Sequence, residues 1–262
     1  MAKIIPLFSG SSGNSTYIAT QTGAILVDAG ASFKSIKEAL SMLGEDITYV
    51  KAVAITHEHD DHIKGLKTIL KNTGAKLITT NGTAQWLINN NKIPEKTQVV
   101  ISSGKDIQNE DTIIRSFSTS HDSCEPCGFS FEFSDGKKAS ICTDLGIVTD
   151  EVRKAISKSD LILLESNHDV EMLKKGPYPP HLKIRIMSDK GHISNNVCAF
   201  QLKSLVKEGT TRIILGHLSQ KNNTPLIAKS CAESALMDLG AQNGKDYLLY
   251  VASPKENGVV VI

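Results

Sequence analysis

Residues 57–62 constrain this chain more than any other segment. They read His57-Glu58-His59-Asp60-Asp61-His62 and directly follow the apolar run at residues 53–56. Neutral imidazole and carboxylate are the ligands that borderline divalent metals prefer, and a buried strand ending in such groups holds them on a rigid rim. Because the whole chain has only eight histidines, we interpret this cluster as part of a metal site rather than as a solvated polar loop.

The composition is that of an ordinary globular protein. The 262 residues are 40% hydrophobic, enough for a full core, and no linker or low-complexity tract divides them, so we expect one domain over residues 1–262. Lys and Arg number 29 against 28 Asp and Glu, a formal charge of +1. That balance gives no bulk attraction to nucleic acid or membrane, so a polyanion must bind a local patch.

The sequence also predicts where the protein works. No stretch approaches the roughly 20 apolar residues that a membrane span requires. The apolar part of the amino-terminal segment is too short for a secretory signal. Five cysteines, an odd number without framework spacing, are typical of a reducing compartment. We therefore expect a cytoplasmic protein with no membrane partner.

Short β-like runs alternate with amphipathic helical stretches along the chain. Ser32, Ser194 and Thr224 are suited to cap helices, and Gly44 and Gly240 to end two of them. This mixture predicts a layered α/β fold. The predicted strands cover residues 4–8, 16–19, 24–28, 52–56, 77–79, 99–101, 112–117, 129–133, 139–142, 161–164, 213–215, 247–251 and 259–262.

Further candidate ligands follow predicted strands elsewhere in the chain. In α/β sheets functional groups gather at the carboxyl ends of strands, so these side chains can converge on residues 57–62. Together with the cluster they supply enough ligands for two metals. They are His121, Asp144, Glu165 and His217.

The spacing His57-x-His59-x-Asp61-His62 matches the hallmark motif of the metallo-β-lactamase superfamily, and Asp28 matches the acid that precedes it. The resemblance implies a four-layer αββα fold, with Asp28 bracing the histidine loop. It also implies two divalent ions, which could be zinc, manganese or iron. One metal would be held by His57, His59 and His121, the other by Asp61, His62 and His217, with Asp144 bridging them.

Finer similarities point to the phosphodiesterase branch of that superfamily. The segment ending in Glu165 resembles the His-Glu-Ala-Thr segment of tRNase Z, with Leu164 in place of its histidine. Gly191-His192-Ile193-Ser194 is similar to the His-Ser-Thr segment of the same enzymes. That similarity aligns His192 with a residue implicated in proton donation. Only 23 positions separate His121 from Asp144, which leaves no room for the arm with which tRNase Z grips transfer RNA.

The whole chain most resembles the bacterial YycJ, or WalJ, family. The match rests on residues 9–14, 165–169, 216–219 and 222–223. The resemblance implies a metal-dependent exonuclease that digests DNA from 5′ to 3′. Asp61 is then the candidate to orient the attacking hydroxide, and His192, kept protonated by Glu165, the candidate donor to the departing oxygen.

Two other functions use the same residues. The first is hydrolysis of a small ester, lactone or cyclic phosphodiester. It would be favoured if the protein cleaved a mononucleotide diester as well as a long strand. The second is a noncatalytic or redox metal module. It would be favoured if the protein bound iron, reacted with oxygen and hydrolysed nothing. The sequence contains no attached flavin-binding domain in support of the second.

Several other features have a structural and a functional interpretation. His168 either contacts a metal or phosphate or is solvated, and His181 is predicted in a loop. The glycine-rich run at residues 9–14 is predicted to turn tightly between strands, although its amides could face substrate. Trp86 is predicted to pack a helix. A basic stretch with Tyr178 inside it could follow a nucleic-acid backbone or be solvated: Lys174, Lys175, Lys183, Arg185 and Lys190.

The five cysteines predict no disulfide framework. Cys124 and Cys127 form a single Cys-x-x-Cys beside His121 without the second pair that a structural zinc site needs. The other three lie in apolar surroundings and are predicted to be core residues: Cys142, Cys198 and Cys231.

Overall fold

The computed structural model describes residues 1–255 and 258–262, which form two seven-stranded sheets. In chain order the strands are β1 (Lys3–Phe8), β2 (Ser15–Ala19), β3 (Ala24–Val27), β4 (Val50–Ala54), β5 (Lys76–Thr79), β6 (Val99–Ile101), β7 (Ile107–Asn109), β8 (Thr112–Ser118), β9 (Cys127–Phe133), β10 (Lys138–Cys142), β11 (Leu161–Glu165), β12 (Arg212–Gly216), β13 (Leu248–Val251) and β14 (Val260–Val261). The first sheet has the order β14-β1-β2-β3-β4-β5-β6, and the second β13-β12-β11-β10-β9-β8-β7.

Each sheet combines an antiparallel part with a run of four parallel strands. In the first sheet β3 to β6 are parallel, and in the second β10 to β13 are parallel. The remaining pairs, such as β1 with β2 and β8 with β9, are antiparallel. Parallel strands are joined by crossover segments and end at the same edge of their sheet, so loops leaving β3, β4, β10, β11 and β12 emerge along those edges.

Nine helices accompany the two sheets in the described residues. They are α1 (Phe33–Met42), α2 (Asp60–Ile63), α3 (Leu66–Thr73), α4 (Asn81–Asn89), α5 (Asp150–Ile156), α6 (Val170–Lys175), α7 (Pro180–Ile186), α8 (Asn195–Lys207) and α9 (Pro225–Met237), with a 3₁₀ turn at Ile47–Tyr49. The predicted caps are present: the Oγ atoms of Ser32 and Ser194 and Oγ1 of Thr224 accept backbone N–H groups of α1, α8 and α9. Each satisfies an amide that the helix itself leaves unpaired.

Three apolar layers hold the sheets and helices together. Between the sheets, side chains such as Val27 of the first sheet and Phe129 and Leu163 of the second form one cluster. The outer clusters pack α1, α3 and α4 on the first sheet, and α5, α8 and α9 on the second. The predicted four-layer αββα fold is therefore confirmed, and Trp86 packs on the first sheet from α4, as predicted.

The structure differs from the sequence-based expectations at a few elements. Strand β7 was not predicted, and β4 lies two residues before the expected range. His181 was predicted in a loop, but it lies in α7, which begins with Pro180 at its first position. Proline is favoured at this position because its missing N–H would be unpaired there anyway, so the Pro-Pro pair starts a helix.

None of the helices within the described residues is long and apolar enough to cross a membrane.

Candidate metal centre

The candidate site lies where strands of both sheets end. Asp28 follows β3 directly, Glu165 is the last residue of β11, and His217 follows β12 directly. His57 lies three residues beyond the end of β4, and Asp144 two residues beyond the end of β10. The expected convergence of strand-end side chains is therefore present, although the strands belong to two different sheets.

Three of these residues share an uncommon backbone conformation. Asp28, Asp144 and His217 have φ angles of 60°, 58° and 53°. Residues other than glycine rarely adopt this left-handed region, and such strain concentrates at functional sites. The chain thus turns sharply after three separate strands, and each turn directs its side chain towards the same cluster.

One group of three imidazoles comes from two loops. Nε2 of His57 lies 3.0 Å from Nδ1 of His59, and the ring of His121 is 5.0 Å from that of His57 between centroids. One nitrogen of each of the three lies within 4.8 Å of one in each other ring. Three nitrogens converging from three directions form a site that a divalent metal can occupy.

A second group combines one carboxylate with two imidazoles. Oδ2 of Asp61 is 3.6 Å from Nε2 of His62 and 3.9 Å from Nε2 of His217. All three ligand atoms again lie within 4.8 Å of one another. This group therefore joins the histidine loop of the first sheet to the end of strand β12 in the second.

Asp144 lies between the two groups. Its Oδ2 is 3.4 Å from Nε2 of His62, and its Oδ1 is 3.8 Å from Nε2 of His121. Oδ2 of Asp144 and Nε2 of His217 are buried and have no hydrogen-bond partner within the described part of the chain. Buried polar atoms of this kind are rare in proteins, and a metal bound between the groups would satisfy both.

Asp28 supports the histidine loop of the first sheet. Its Oδ2 lies 2.8 Å from Nδ1 of His62, and its Oδ1 accepts hydrogen bonds from the backbone N–H and the hydroxyl of Thr56 at 2.9 and 3.0 Å. The hydrogen-bonding role expected for Asp28 is therefore present. It engages the far nitrogen of His62 and leaves Nε2 facing the cluster, as in many metal-binding histidines.

The second sheet supports its histidines in the same way. Oε1 of Glu165 lies 2.8 Å from Nδ1 of His217, and the carbonyl oxygen of Gly191 lies 3.1 Å from Nδ1 of His121. In both rings Nε2 is left for the cluster. The orientation of each imidazole is therefore fixed by a partner outside the cluster, which is the usual arrangement around a bound metal.

The charges of the cluster act strongly on one another. Burial lowers the pKa of His62, but the carboxylates of Asp28 and Asp144 outweigh it and raise that pKa to about 9. Burial raises the pKa of Asp144, but His217 and His62 outweigh it and hold the value below the usual range. Burial and the neighbouring imidazoles lower the pKa of His57 well below its ordinary value. Carboxylates that stay ionised in a buried place attract cations.

The comparisons with known proteins agree with this architecture. The profile of the Beta-lactamase superfamily domain matches residues 24–218, a range that includes every strand-end residue described above. The chain belongs to the metallo-β-lactamase superfamily. It is therefore an enzyme of a superfamily of metal-dependent hydrolases, whose His and Asp clusters are able to bind metal.

Similar proteins include bacterial enzymes and a solved structure. The chain is 34% identical over 252 residues to exodeoxyribonuclease YycJ of Bacillus anthracis, which covers 95% of this chain and 94% of the relative. It is 36% identical over 251 residues to exodeoxyribonuclease WalJ of Streptococcus pneumoniae serotype 2, at 95% and 93% coverage. This identity places the chain in the YycJ and WalJ family. The metallo-β-lactamase fold protein YhfI of Bacillus subtilis has the same fold, with a TM-score of 0.72, 14% identity and coverage of 99% and 98%.

The pair expected from the superfamily resemblance, His192 with Glu165, is present. Nδ1 of His192 lies 2.7 Å from Oε1 of Glu165, the same oxygen that contacts His217. Oε2 of Glu165 accepts the backbone N–H groups of Leu145 and Ile193. Burial raises the pKa of Glu165, but the two imidazoles outweigh it and hold that pKa well below its usual value. Glu165 is therefore a buried, ionised partner of both histidines.

His192 lies at the accessible side of this metallo-β-lactamase site. Its ring is 5.1 Å from that of His121 and 5.2 Å from that of His217 between centroids. Its side chain keeps 13% of its surface exposed, while that of Glu165 keeps none. His192 is thus positioned between two candidate ligands with one face open to an incoming molecule.

Asn14 belongs to the site although sequence reasoning did not identify it. Its Nδ2 lies 3.0 Å from Nε2 of His62 and 3.3 Å from Oδ2 of Asp61. Its Oδ1 accepts the backbone N–H of Gly10, and Oγ of Ser9 accepts that of His217. The run at residues 9–14 therefore does form the predicted turn, but it also attaches the first strand to the group formed by Asp61, His62 and His217. A signal in the sequence was the single amide residue that ends this serine- and glycine-rich run.

The remaining histidine and cysteine candidates lie outside the metal cluster. His168 is buried rather than solvated, with 3% of its surface exposed, and its backbone pairs with Ser194. The prediction that Cys231 is a core residue was wrong, since it is partly exposed, whereas Cys142 and Cys198 are buried. Cys124 is exposed and Cys127 buried, and both are free.

Proposed function

We propose that this chain is a dinuclear metal-dependent exonuclease that hydrolyses phosphodiester bonds of DNA. The observation that carries the proposal is the position of Asp144 between two groups of candidate ligands. Two neighbouring metals are the usual means of neutralising a phosphodiester and activating water beside it. The names of the YycJ and WalJ relatives support DNA as the substrate.

The proposed ligand sets follow the two groups. His57, His59 and His121 would hold one divalent ion and Asp61, His62 and His217 the other, with Asp144 available to both. The chemistry of these donors, nitrogen mixed with oxygen, fits zinc, manganese or iron. When bound, the two ions supply charge neutralisation at the phosphate and acidify water at neutral pH.

Asp61 orients the attacking water. It is the ligand-group carboxylate with the most exposure, 27% of its side chain against 4% for Asp144. The amide of Asn14 holds its Oδ2 from the other side at 3.3 Å. A carboxylate that is both fixed and accessible can accept a hydrogen bond from a water poised for attack.

His192 donates a proton to the departing oxygen. Glu165 engages its Nδ1 at 2.7 Å, which leaves Nε2 as the nitrogen available to substrate. Phosphodiester cleavage releases an alkoxide, and a proton supplied at that atom lowers the barrier to its departure.

End-labelled oligonucleotides test this proposal. DNA and RNA carrying a label at the 5′ or the 3′ end are digested after chelation and addition of zinc, manganese or iron. We expect digestion of DNA with early release of the 5′ label as a mononucleotide, and a loss on the order of 10³-fold in Asp61→Ala. Asp60→Ala is the matched control, because Asp60 is an adjacent acid that points to solvent and pairs with Lys92.

Each alternative has its own result. Equal activity of Asp61→Ala and the unaltered protein would refute the mechanism. A mononucleotide diester cleaved as efficiently as a long strand would indicate a hydrolase of small esters or cyclic phosphodiesters. Oxygen consumption by an iron-loaded protein that hydrolyses no diester would indicate a redox module.

A further inference from the structure

The opening of the site is framed by its few accessible side chains. Among the residues near the cluster, Asp61, Asp122 and His192 retain 27%, 34% and 13% of their side-chain surface. The inner ligands His62 and Asp144 retain 0% and 4%. A long substrate therefore approaches over Asp61, Asp122 and His192, and groups beyond this rim meet the parts of the substrate that do not react.

An arginine is fixed at this rim. Nε and Nη2 of Arg185 donate to the two oxygens of Asp122 at 2.6 and 2.9 Å. Oδ1 of Asp122 is in turn 3.4 Å from Nε2 of His121, so one carboxylate separates the guanidinium from a candidate ligand. The Arg185 side chain is 48% exposed. A bidentate pair holds the planar guanidinium in one orientation and leaves its remaining N–H groups for another acceptor.

The backbone around α7 holds this arrangement against the site. The N–H of His192 donates to the carbonyl oxygen of Ile186, and the hydroxyl of Ser120 donates to that of Asp189. Gly191 lies against α7 so closely that a Cβ there would be 2.2 Å from the carbonyl oxygen of Arg185. The segment from Arg185 to His192 is therefore packed as a unit against the loop that carries His121.

The other cations of the basic stretch are differently placed. Lys174 and Lys175 both pair with Glu171 of their own helix, α6. Nζ of Lys183 donates to the carbonyl oxygen of Lys174. Lys190 is exposed, has no ion pair within the described residues, and lies two residues before His192. The stretch thus divides into lysines engaged within α6 and α7, an arginine fixed at the rim through Asp122, and the exposed Lys190, which precedes His192 by two residues in the chain.

We propose that Arg185, oriented by Asp122, and Lys190 bind a backbone phosphate next to the one that is cleaved. This inference rests on the proposed function, since it assumes a polynucleotide substrate. A planar guanidinium with free N–H groups matches the geometry of a phosphate, and an unpaired lysine adds charge without directional demand. The two residues act as binding groups for the strand and take no part in the chemical step.

Binding is measured on the full-length, metal-loaded protein. Fluorescence anisotropy with a single-stranded phosphorothioate oligonucleotide, which resists hydrolysis, is recorded from low to moderate salt. We expect Arg185→Gln to weaken binding about tenfold and to reduce the slope of log affinity against log salt by about 1. Lys190→Gln lowers the slope by a similar amount. Lys175→Gln is the matched control in the same stretch, and its affinity and slope stay those of the unaltered protein.

Turnover separates binding from chemistry. With Arg185→Gln we expect KM for a 20-nucleotide strand to rise about tenfold while kcat changes less than twofold. The rise in KM should become smaller as the substrate is shortened. It should be smallest for a mononucleotide diester, which has no neighbouring phosphate for Arg185 to bind. An equal loss on short and long substrates would overturn the inference.

A second variant distinguishes a phosphate-binding role from a merely structural one. Asp122→Asn breaks the ion pair but keeps the guanidinium, so DNA binding should fall less than in Arg185→Gln. If both variants lose the same affinity and the same thermal stability, Arg185 only fastens α7 to the His121 loop, and the inference is wrong. If the unaltered protein binds no DNA but hydrolyses a small diester, the proposed function fails instead.

Discussion

The two sheets supply the candidate metal centre in different ways. The first sheet contributes four side chains from one short loop, residues 57–62, after a single strand. The second contributes His121, Asp144, Glu165 and His217 from four separate segments, spread over almost one hundred positions. A contiguous loop carries its own geometry, whereas dispersed residues depend on the register of several strands. The first half of the site is therefore a local feature, and the second is a property of the whole sheet.

The supports of the histidines show the same contrast. In the first sheet Asp28 engages only His62, and its other contacts are to Thr56 of the same loop. In the second sheet one oxygen of Glu165 contacts both His192 and His217. The first support contacts a single candidate ligand, while the second couples a candidate ligand to the candidate proton donor.

The largest effect is expected from changing Asp144, which lies between the two groups of candidate ligands. Asp144→Asn keeps the size of the side chain and tolerates the left-handed backbone, but it removes the charge shared by both groups of ligands. We expect activity to fall on the order of 10³-fold and metal to be lost from both groups. Asp61→Asn should lose metal from one group only. Metal content after dialysis, measured by mass spectrometry, compares the two.

Retention of full metal by Asp144→Asn would contradict the central position assigned to that carboxylate. Loss of a single equivalent in both variants would show instead that the two groups are independent.

An intermediate effect compares the two supports. Asp28→Asn and Glu165→Gln should each reduce metal affinity or activity by roughly 10- to 100-fold, the range for partners of metal-binding histidines. Because Glu165 also holds His192, its variant should lose more turnover than its metal affinity accounts for. Competition with a chelator gives the metal affinity, and kcat at saturating metal gives the loss of turnover that metal affinity does not explain.

The contrast between the supports requires a difference between these variants. If Asp28→Asn loses as much kcat as Glu165→Gln at saturating metal, Glu165 has no separate role towards His192.

The smallest effect concerns two helix caps of the same kind. Oγ of Ser32 caps α1 four residues beyond Asp28, and Oγ of Ser194 caps α8 two residues beyond His192. Replacement of either by alanine should lower the free energy of unfolding by about 1 kcal/mol. Only Ser194→Ala should also lower turnover, because His192 depends on where α8 begins. Denaturant titration and kcat are measured on both, and reduced turnover in Ser32→Ala would argue against this distinction.

Prediction from sequence succeeded where the signal was local. The motif at residues 57–62 contains four candidate ligands that lie in the cluster, and the serine and threonine caps were read from short-range chemistry. The layered α/β architecture and the strand-end positions followed from the alternation of apolar runs with polar residues, whereas the four-layer αββα arrangement came from the resemblance to the metallo-β-lactamase superfamily. The pairing of His192 with Glu165 came from resemblance, and the structure places the two side chains 2.7 Å apart.

Prediction failed where distant segments decide the environment. His168 was expected either to contact a metal or phosphate or to be solvated, but it is buried, and its backbone pairs with Ser194, 26 positions later. Asn14 was missed because its contacts are to residues 47 and 48 positions away. Arg185 could not be separated from its lysine neighbours, since its partner Asp122 lies 63 positions earlier.

The sequence alone determined which side chains are available for metal chemistry and that they follow buried strands, because ligand type and strand periodicity are encoded over a few residues. Only the tertiary structure decided which nitrogen of each imidazole faces the cluster, that Glu165 serves two histidines, and that Asn14 and Arg185 lie beside them. These choices depend on how two sheets pack, and the packing of strands far apart in the chain is set by the shape of the apolar side chains between them rather than by any short motif.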